Sequence, residues 1–232
     1  MSIRNFARNC FAFVFVVAAI GCAPAASEQA AAPSPTPAET PDPRPKIIAF
    51  GDSLTSGFGI PERERSYPAL LQKRLDAEGY SYKVLNHGQG GDTSQQGLDR
   101  LYLATGIGSA EILIVEFGAN DAAQNVPVET VRANLDQILT RIAATNKRVL
   151  LCGIRPPEGK DVAYSNGFAA MFRELAQIHN VELLEDFMKD VAGEPSHLLA
   201  DGIHPNESGT RIIADRVFDS LWPLLKKNES KH

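Results

Sequence analysis

The sequence predicts an α/β protein, a three-layer α/β/α sandwich with a central parallel sheet of about five strands. From Lys46 onward, short apolar runs rich in β-branched residues alternate with segments of helical periodicity. The runs are almost continuously apolar, which is typical of parallel strands covered by helices on both faces. Polar clusters follow several of these runs, where a parallel sheet gathers its reactive groups at the carboxyl ends of its strands.

The predicted strands are KIIAFG, YKVLNHG, EILIVEFG, RVLLCGI and VELLED, at residues 46–51, 82–88, 111–118, 148–154 and 181–186. Helices are predicted within residues 67–79, 126–146, 167–180 and 206–227. In the second of these, Val131, Leu135, Ile138 and Ile142 recur at helical spacing, so one face is apolar. This β-α alternation implies right-handed crossovers between neighbouring strands.

Length and charge narrow the class of protein. A chain of 232 residues suits one sizeable α/β domain. Apolar residues make up 44% and charged residues 22%, as in ordinary globular proteins. The formal net charge of −5 leaves no basic footprint, so a nucleic-acid partner is not expected.

Residues 1–22 have the pattern of an export signal. Arg4 and Arg8 precede an uncharged stretch from Asn9 to Gly21. Its apolar core of about a dozen residues suits a signal peptide and is short for a membrane span.

Two cleavage sites remain open. AAIGC, at residues 18–22, resembles the lipobox of bacterial lipoproteins, in which Cys22 would be lipidated, although Ala19 stands where leucine is commonest. The alternative is ordinary cleavage near Ala23-Pro24-Ala25, which would release a soluble protein. The first site predicts a periplasmic domain tethered to a membrane through Cys22.

Residues 23–45 are rich in proline and alanine and predict an extended tether, which leaves residues 46–232 as the one folded domain. Cys10 lies in the signal and Cys152 in a predicted buried strand, so no internal disulfide is expected. No pattern in the sequence specifies an oligomeric state.

Ser53, in the Gly-Asp-Ser cluster after the first strand, is the candidate nucleophile. A serine at this position is also a good helix N-cap. A serine hydroxyl becomes a nucleophile only when a neighbouring base takes its proton. The functional interpretation of Ser53 therefore needs a base, and the histidines are the candidates.

His204 has the most suggestive context of the histidines. In DGIHPN, Asp201 precedes it by three residues, so its carboxylate can accept a hydrogen bond from one ring nitrogen and leave the other for a substrate or nucleophile. A capping aspartate beside a surface histidine is the alternative interpretation.

Acyl transfer also needs donors to the oxyanion that forms on the substrate. The glycine-rich turn GQGGDTS can present the backbone amide of Gly91, and Asn120 in GAND can add a side-chain amide. Each feature is common by itself, as a turn glycine or an asparagine after a strand.

Together, GDSLTSG, GGDTSQQGL, GAND and DGIHPN resemble the sequence blocks of the GDSL esterases, or SGNH hydrolases. The resemblance spans residues 46 to about 225 and is strongest to the bacterial thioesterase I, arylesterase and lysophospholipase group. It implies the flavodoxin-like fold of that family, and a serine esterase that requires neither a metal nor an organic cofactor.

By this resemblance, Ser53 is similar to the family nucleophile, His204 to the base, and Asp201 to the residue that orients the base. Gly91, Asn120 and the backbone amide of Ser53 are then the oxyanion donors. The chain departs from the usual blocks at His87, Gly90 and Ala119. Gly90 predicts a looser oxyanion turn, and His87 a partly exposed side chain that the family fold tolerates.

The resemblance implies small-molecule ester or lipid substrates: aryl and short-to-medium acyl esters, lysophospholipids and acyl thioesters. An exported protein rarely meets acyl-CoA, so esters and lysophospholipids are favoured. The residues predicted to line an acyl site, all equally suited to the core, are Leu54, Phe58, Ile154, Pro156, Phe168 and Ile203.

Two alternatives to this esterase are a carbohydrate O-deacetylase and a non-catalytic lipid- or glycan-binding module on the same fold. A nucleotide-binding P-loop is not supported, because no Gly-Lys-Ser/Thr sequence follows the glycine-rich turn.

Overall fold

A computed structural model of the protein describes residues 42–226. Its five strands form one parallel sheet in the order β2-β1-β3-β4-β5. The strands are β1 (Lys46–Gly51), β2 (Lys83–Gly88), β3 (Ala110–Glu116), β4 (Arg148–Cys152) and β5 (Glu182–Leu184). This strand order is the flavodoxin-like one, in which ligands bind where the order reverses, between β1 and β3. The predicted α/β/α fold is confirmed.

The helices are α1 (Ser53–Ser56), α2 (Tyr67–Ala77), α3 (Ser94–Thr105), α4 (Ala119–Ala123), α5 (Val128–Ala143), α6 (Val162–His179) and α7 (Glu207–Leu221). α2 packs against α7, and α5 packs between α3 and α6. These two groups of helices are the outer layers of the sandwich, and their apolar faces bury the sheet.

Three helices were not predicted from the sequence. They are the short α1 and α4, and α3, although Thr93 and Gln96 form a capping box at the start of α3. α6 begins at Val162, before the predicted start at residue 167, because the Asp161 carboxylate accepts hydrogen bonds from the Ala163 and Tyr164 amides, at 2.8 and 3.2 Å.

The described chain begins within the predicted tether. Arg44 donates a hydrogen bond to the Tyr82 carbonyl, at 3.3 Å, and the Lys83 amide donates to the Pro45 carbonyl, at 2.9 Å. Arg44 and Pro45, which lead into β1, thus contact the residues at the start of β2. The predicted signal peptide, Cys22 and most of the tether lie outside the described residues. Within residues 42–226, no helix is both long enough and apolar enough to span a bilayer.

The site predicted from sequence lies above the last row of the sheet. In this row Gly51, at the end of β1, is paired with Gly88 on one side and with Glu116 on the other. Glu116 is paired in turn with Cys152. Gly51 and Gly88 are required here because a Cβ atom on either would lie under 3 Å from neighbouring atoms, including the Ser56 amide nitrogen above Gly88.

Candidate active site

Ser53 is the first residue of α1, directly after β1. Asp52 rather than Ser53 caps this short helix, since the Asp52 carboxylate accepts a hydrogen bond from the Leu54 amide at 2.9 Å. The helix ends after one turn at Gly57, whose φ of +80° is a left-handed conformation that glycine adopts readily. The Ser53 hydroxyl is therefore free of the capping role that the sequence had left open.

His204 lies in the loop before α7, with Asp201 on one side of its ring and Ser53 on the other. Its Nδ1 lies 2.7 Å from Asp201 Oδ2, and its Nε2 lies 3.0 Å from Ser53 Oγ. Since an ionised carboxylate can only accept, Nδ1 carries the proton and Nε2 accepts from the serine hydroxyl. The three predicted residues thus form one continuous hydrogen-bonded chain.

The Asp201 carboxylate is held ionised by its own loop. Its Oδ1 accepts hydrogen bonds from the His204 and Ile203 amides, at 3.0 and 2.9 Å. These two bonds, followed by the one from the His204 ring, lower the pKa of Asp201 to about 2. An ionised Asp201 fixes the tautomer of His204 that can accept a proton from Ser53.

The loop that carries His204 is anchored by Asn206. Its side-chain oxygen accepts from the Ser208 and Gly209 amides and so caps α7, while its Nδ2 donates to the Ser196 and Leu198 carbonyls. In addition, the Leu199 amide donates to the His204 carbonyl at 2.8 Å. Asn206 therefore fixes the His204 loop both to the start of α7 and to residues 196–198.

The glycine-rich turn lies beside Ser53. The Gln89 amide donates to the Gly51 carbonyl at 3.0 Å, which ties the turn to the end of β1. A Cβ on Gly90 would lie 3.9 Å from Ser53 Cβ, so the turn passes close to the serine. Gly91 has a φ of +86°. Within residues 42–226, the backbone amides of Gly91 and Ser53 donate to no other protein group.

Arg100, on α3, supports this turn from below, a role that the sequence analysis did not predict. Its guanidinium donates to Asp92 Oδ2 at 2.5 Å, and to the carbonyls of His87 and Gly51, each at 2.8 Å. It also stacks over Phe50, with 4.5 Å between the guanidinium carbon and the ring centroid. Arg100 thus joins the ends of β1 and β2 to the glycine-rich turn.

Asn120, in the predicted cluster GAND, lies in α4. Its Nδ2 donates to Asp52 Oδ2 at 3.0 Å and to the Asp92 carbonyl at 2.8 Å. The side chain is thereby held between the end of β1 and the glycine-rich turn. The next residue, Asp121, accepts from the amide and hydroxyl of Ser94 and fixes α4 against the start of α3.

Two buried carboxyl groups, Asp52 and Glu116, lie next to Asn120 and the end of β1. Asp52 and Glu116 are both fully buried, and burial raises the pKa of each, to about 6 for Asp52. The sequence contained a signal for Glu116, because it is the one acidic residue at the buried end of the apolar run ILIVEFG. Glu116 was nevertheless not among the site residues predicted from the sequence.

The predicted acyl-site residues separate into two groups. Leu54, Ile154, Pro156 and Phe168 are buried in the core of the domain. Ile203 and Phe58 are 65% and 55% exposed, and the Phe58 ring lies 4.5 Å from that of His204. Only these last two present apolar surface beside the hydrogen-bonded chain.

His87 is half-buried in the edge strand β2, as predicted, and burial lowers its pKa, as does the nearby positive charge of Arg100. Among residues 42–226, no group of three histidine, cysteine or carboxylate side chains is placed to hold a metal ion.

Comparison with known proteins gives the same family as the sequence blocks. Residues 49–212 match the GDSL-like Lipase/Acylhydrolase family. The chain is 34% identical over 179 residues to thioesterase 1/protease 1/lysophospholipase L1 of Escherichia coli K12, covering 77% of this chain and 84% of that protein. It is 31% identical over 176 residues to an arylesterase of Vibrio mimicus, covering 76% and 88%.

Solved structures agree. The crystal structure of TesA has a TM-score of 0.75 at 31% identity, with 78% of this chain and 99% of that chain covered. Esterase EstA from Pseudoalteromonas, in a structure inhibited by monoethylphosphonate, has a TM-score of 0.72 at 29% identity, with 78% and 98% covered. On the family match and these identities, the chain belongs to the GDSL-like lipase/acylhydrolase family and is a carboxylic ester hydrolase.

Proposed function

We propose that the protein is a serine esterase in which Ser53 is the nucleophile, His204 the general base and Asp201 the residue that orients and stabilises the histidine. The observation that carries this proposal is the chain of hydrogen bonds from Asp201 through His204 to Ser53, at 2.7 and 3.0 Å. Nucleophile, base and orienting carboxylate in this geometry are what acyl transfer through a serine requires.

The reaction has two steps. His204 Nε2 takes the hydroxyl proton as Ser53 Oγ bonds to the ester carbonyl carbon, and then gives that proton to the leaving alcohol as the carbon–oxygen ester bond breaks. In the second step His204 takes a proton from water, whose oxygen attacks the acyl-serine, and Ser53 recovers its proton as the acid leaves.

Three donors are proposed for the oxyanion of each tetrahedral intermediate: the amides of Ser53 and Gly91 and the side chain of Asn120. The two amides are supported by the closeness of the turn to Ser53 and by their lack of protein acceptors within the described chain. Asn120 Nδ2 already has two acceptors, so it would share one of these hydrogens with the oxyanion.

The proposed substrates are carboxylic esters of small alcohols and lysophospholipids. Relatives named as arylesterase and lysophospholipase support this class. The exposed Phe58 and Ile203, next to His204, offer an apolar surface that an acyl or aryl group can cover. We place activity on acyl thioesters second, because the predicted export signal would separate the protein from acyl-CoA.

The test is hydrolysis of p-nitrophenyl esters of increasing acyl length by residues 41–232, with Ser53→Ala as the variant and thermal unfolding as the control for its fold. We expect turnover in the native protein, its loss in Ser53→Ala, and a fluorophosphonate label on Ser53. Full activity in Ser53→Ala would refute the proposed nucleophile. A native protein that cleaves only acetylated sugars would be an O-deacetylase, and one inactive on both substrate classes would be a binding module.

We also propose that the protein is exported and anchored to a membrane through lipidated Cys22. The support is the sequence alone, namely the apolar segment that ends at AAIGC and the proline-rich stretch after it. Cys22→Ala should then move the protein from the membrane to the soluble fraction of cells. Identical fractionation of the two forms would instead indicate cleavage near Ala25.

A further inference from the structure

The buried carboxyl pair under the site poses an electrostatic problem. Asp52 follows β1 and Glu116 ends β3, and the pairing of Gly51 with Glu116 places the two side chains together. Both residues have no exposed surface. Two ionised carboxylates in one buried site repel each other, and each loses its hydration.

Donors around the pair are unevenly distributed. Asp52 Oδ1 accepts from the Leu54 amide at 2.9 Å, and Oδ2 accepts from Asn120 Nδ2 at 3.0 Å. Glu116 Oε2 accepts from the Thr55 hydroxyl at 2.8 Å and from the Asp52 amide at 3.3 Å. Both oxygens of Asp52 are therefore supplied with donors, as an ionised carboxylate requires.

Glu116 Oε1 is different. It is a buried oxygen without a hydrogen-bond partner among the described residues. A buried carboxylate oxygen that lacks a donor is costly, whereas a protonated oxygen becomes a donor itself and needs an acceptor. The ionised Asp52 carboxylate is such an acceptor, and the two residues are in contact, since the Asp52 amide donates to the other Glu116 oxygen at 3.3 Å.

The proton affinities of the two groups also favour a protonated Glu116 and an ionised Asp52. Burial, then repulsion by Asp52, raises the pKa of Glu116 well above its usual range, and the hydrogen bond that a protonated Glu116 donates to Asp52 raises it further. Burial also raises the pKa of Asp52, but the Leu54 amide and then the hydrogen bond from Glu116 lower it, so that it stays near 6. Of the two groups, Asp52 loses its proton first.

Other titratable groups face the pair from several elements. Tyr67, on α2, and Cys152, on β4, are themselves neutral because burial raises their pKa values. The charge of His204 favours an ionised Asp52, and the charge of Asp121 opposes it. None of these four supplies a fixed positive charge to balance a second carboxylate. The guanidinium of Arg100, on the Gly51 carbonyl, is already paired with the Asp92 carboxylate.

We propose that Glu116 is a neutral carboxylic acid in the working enzyme, and that it donates its proton to Asp52 and so acts as a positioning residue for Asn120. The shared proton leaves one negative charge under the oxyanion donors instead of two. It also keeps Asp52 as the acceptor that fixes which way the Asn120 amide points. This inference rests on the proposed oxyanion role of Asn120.

Gly51 makes the arrangement possible. A Cβ at this position would lie 2.6 Å from Glu116 Oε2 and 2.2 Å from the Thr55 hydroxyl oxygen. Only a residue without a side chain lets Glu116 reach across β1 to Asp52.

The first experiment reads the protonation state in the native full-length protein, without any turnover. Glutamate labelled with ¹³C at Cδ is incorporated, and the carboxyl carbons are followed by NMR from pH 4 to 9. We expect one carbon to remain at the position of a protonated acid at pH 7, and Glu116→Gln to remove that signal and no other. If every labelled carbon titrates in the ordinary range of glutamate, the neutral acid is refuted.

The second experiment reads the positioning role. Glu116→Gln keeps a donor for Asp52 and adds no charge, so we expect kcat within about threefold of the native value and an unmoved acid limb of its pH profile. Glu116→Met removes the donor, and kcat should fall, by at most the 10²–10³-fold that loss of one oxyanion donor causes.

Two kinetic outcomes would overturn the inference. An acid limb that moves to lower pH in Glu116→Gln would mean that a negative charge had been removed near His204, and hence that Glu116 was ionised. Native turnover in Glu116→Met would refute the positioning role. Activity in Ser53→Ala would refute the proposed nucleophile instead, and would leave the NMR result standing.

Discussion

Arg100 provides a quantitative test of what stabilises the glycine-rich turn. Its side chain is 13% exposed and that of its partner Asp92 only 2%, with 2.5 Å between the charged atoms. Arg100→Met preserves the length of the side chain but leaves the Asp92 carboxylate buried without its counter-charge. Breaking a buried pair in this way costs about 3–5 kcal/mol, mostly because the remaining charge is uncompensated.

The assay is urea-induced unfolding of residues 41–232, extrapolated linearly to water. Arg132→Met is the matched control, because the side chains of Arg132 and its partner Glu174 are 35% and 54% exposed. That exposed pair should contribute less than about 1 kcal/mol.

The double variant Arg100→Met/Asp92→Asn removes both charges. It should therefore be more stable than Arg100→Met alone, since no buried charge is left unpaired. If Arg100→Met lowers the free energy of unfolding no more than Arg132→Met does, the turn does not depend on this pair, and the argument from burial is wrong. A double variant less stable than the single one would contradict it equally.

Three further changes test the site and its surroundings. Asp201→Asn should fold normally and lose about 10⁴-fold in kcat, across the working pH range, because the pKa of Asp201 near 2 keeps this carboxylate ionised throughout; unchanged kcat would remove Asp201 from the mechanism. Gly91→Ala and Gly79→Ala impose the same backbone strain, at φ of +86° and +79°, and no atom lies within 4 Å of either added Cβ. Each should therefore lower the free energy of unfolding by about 1–2 kcal/mol. Only Gly91→Ala should also lower kcat for p-nitrophenyl esters, and equal kcat in the two variants would argue against the Gly91 amide as a donor. Gly97→Ala places a Cβ 2.6 Å from the Phe117 ring, so calorimetry should show a loss of about 1–3 kcal/mol from overpacking, and an unchanged melting temperature would show that the ring moves without cost.

The fold was predictable because it depends on a strong local signal. Every predicted strand is present, and all but β1 are shorter by one to three residues, since the ends of the apolar runs leave the sheet. α3 was missed because its first turn, SQQG, was interpreted only as part of a polar cluster. The Thr93–Gln96 capping box and the spacing of Leu98 and Leu101 were both visible in the sequence.

The site was predictable only in part. The blocks pointed to Ser53, Asp201 and His204, and the structure brings these three together. Arg100 and Glu116 were not recognised, because the function of a buried charge depends on partners from other strands, and one sequence does not show which strands are neighbours.

The predicted acyl site shows the opposite limit. Apolar residues near the blocks cannot be divided from sequence into core and binding surface, because both roles select the same side chains. Phe168 and Ile154 illustrate this, since they pack behind Gly118, where a Cβ would contact both.

The distance along the chain between Ser53 and His204 has a consequence for how activity arises. The two residues are 151 positions apart, and the loop of His204 is held by the cap of the last α-helix. Contacts between such distant segments close large loops and form late in folding. A nascent chain in which Ser53 has already been synthesised therefore has no base beside this serine. Hydrolysis should be the last property to return on refolding, after the recovery of helical circular dichroism.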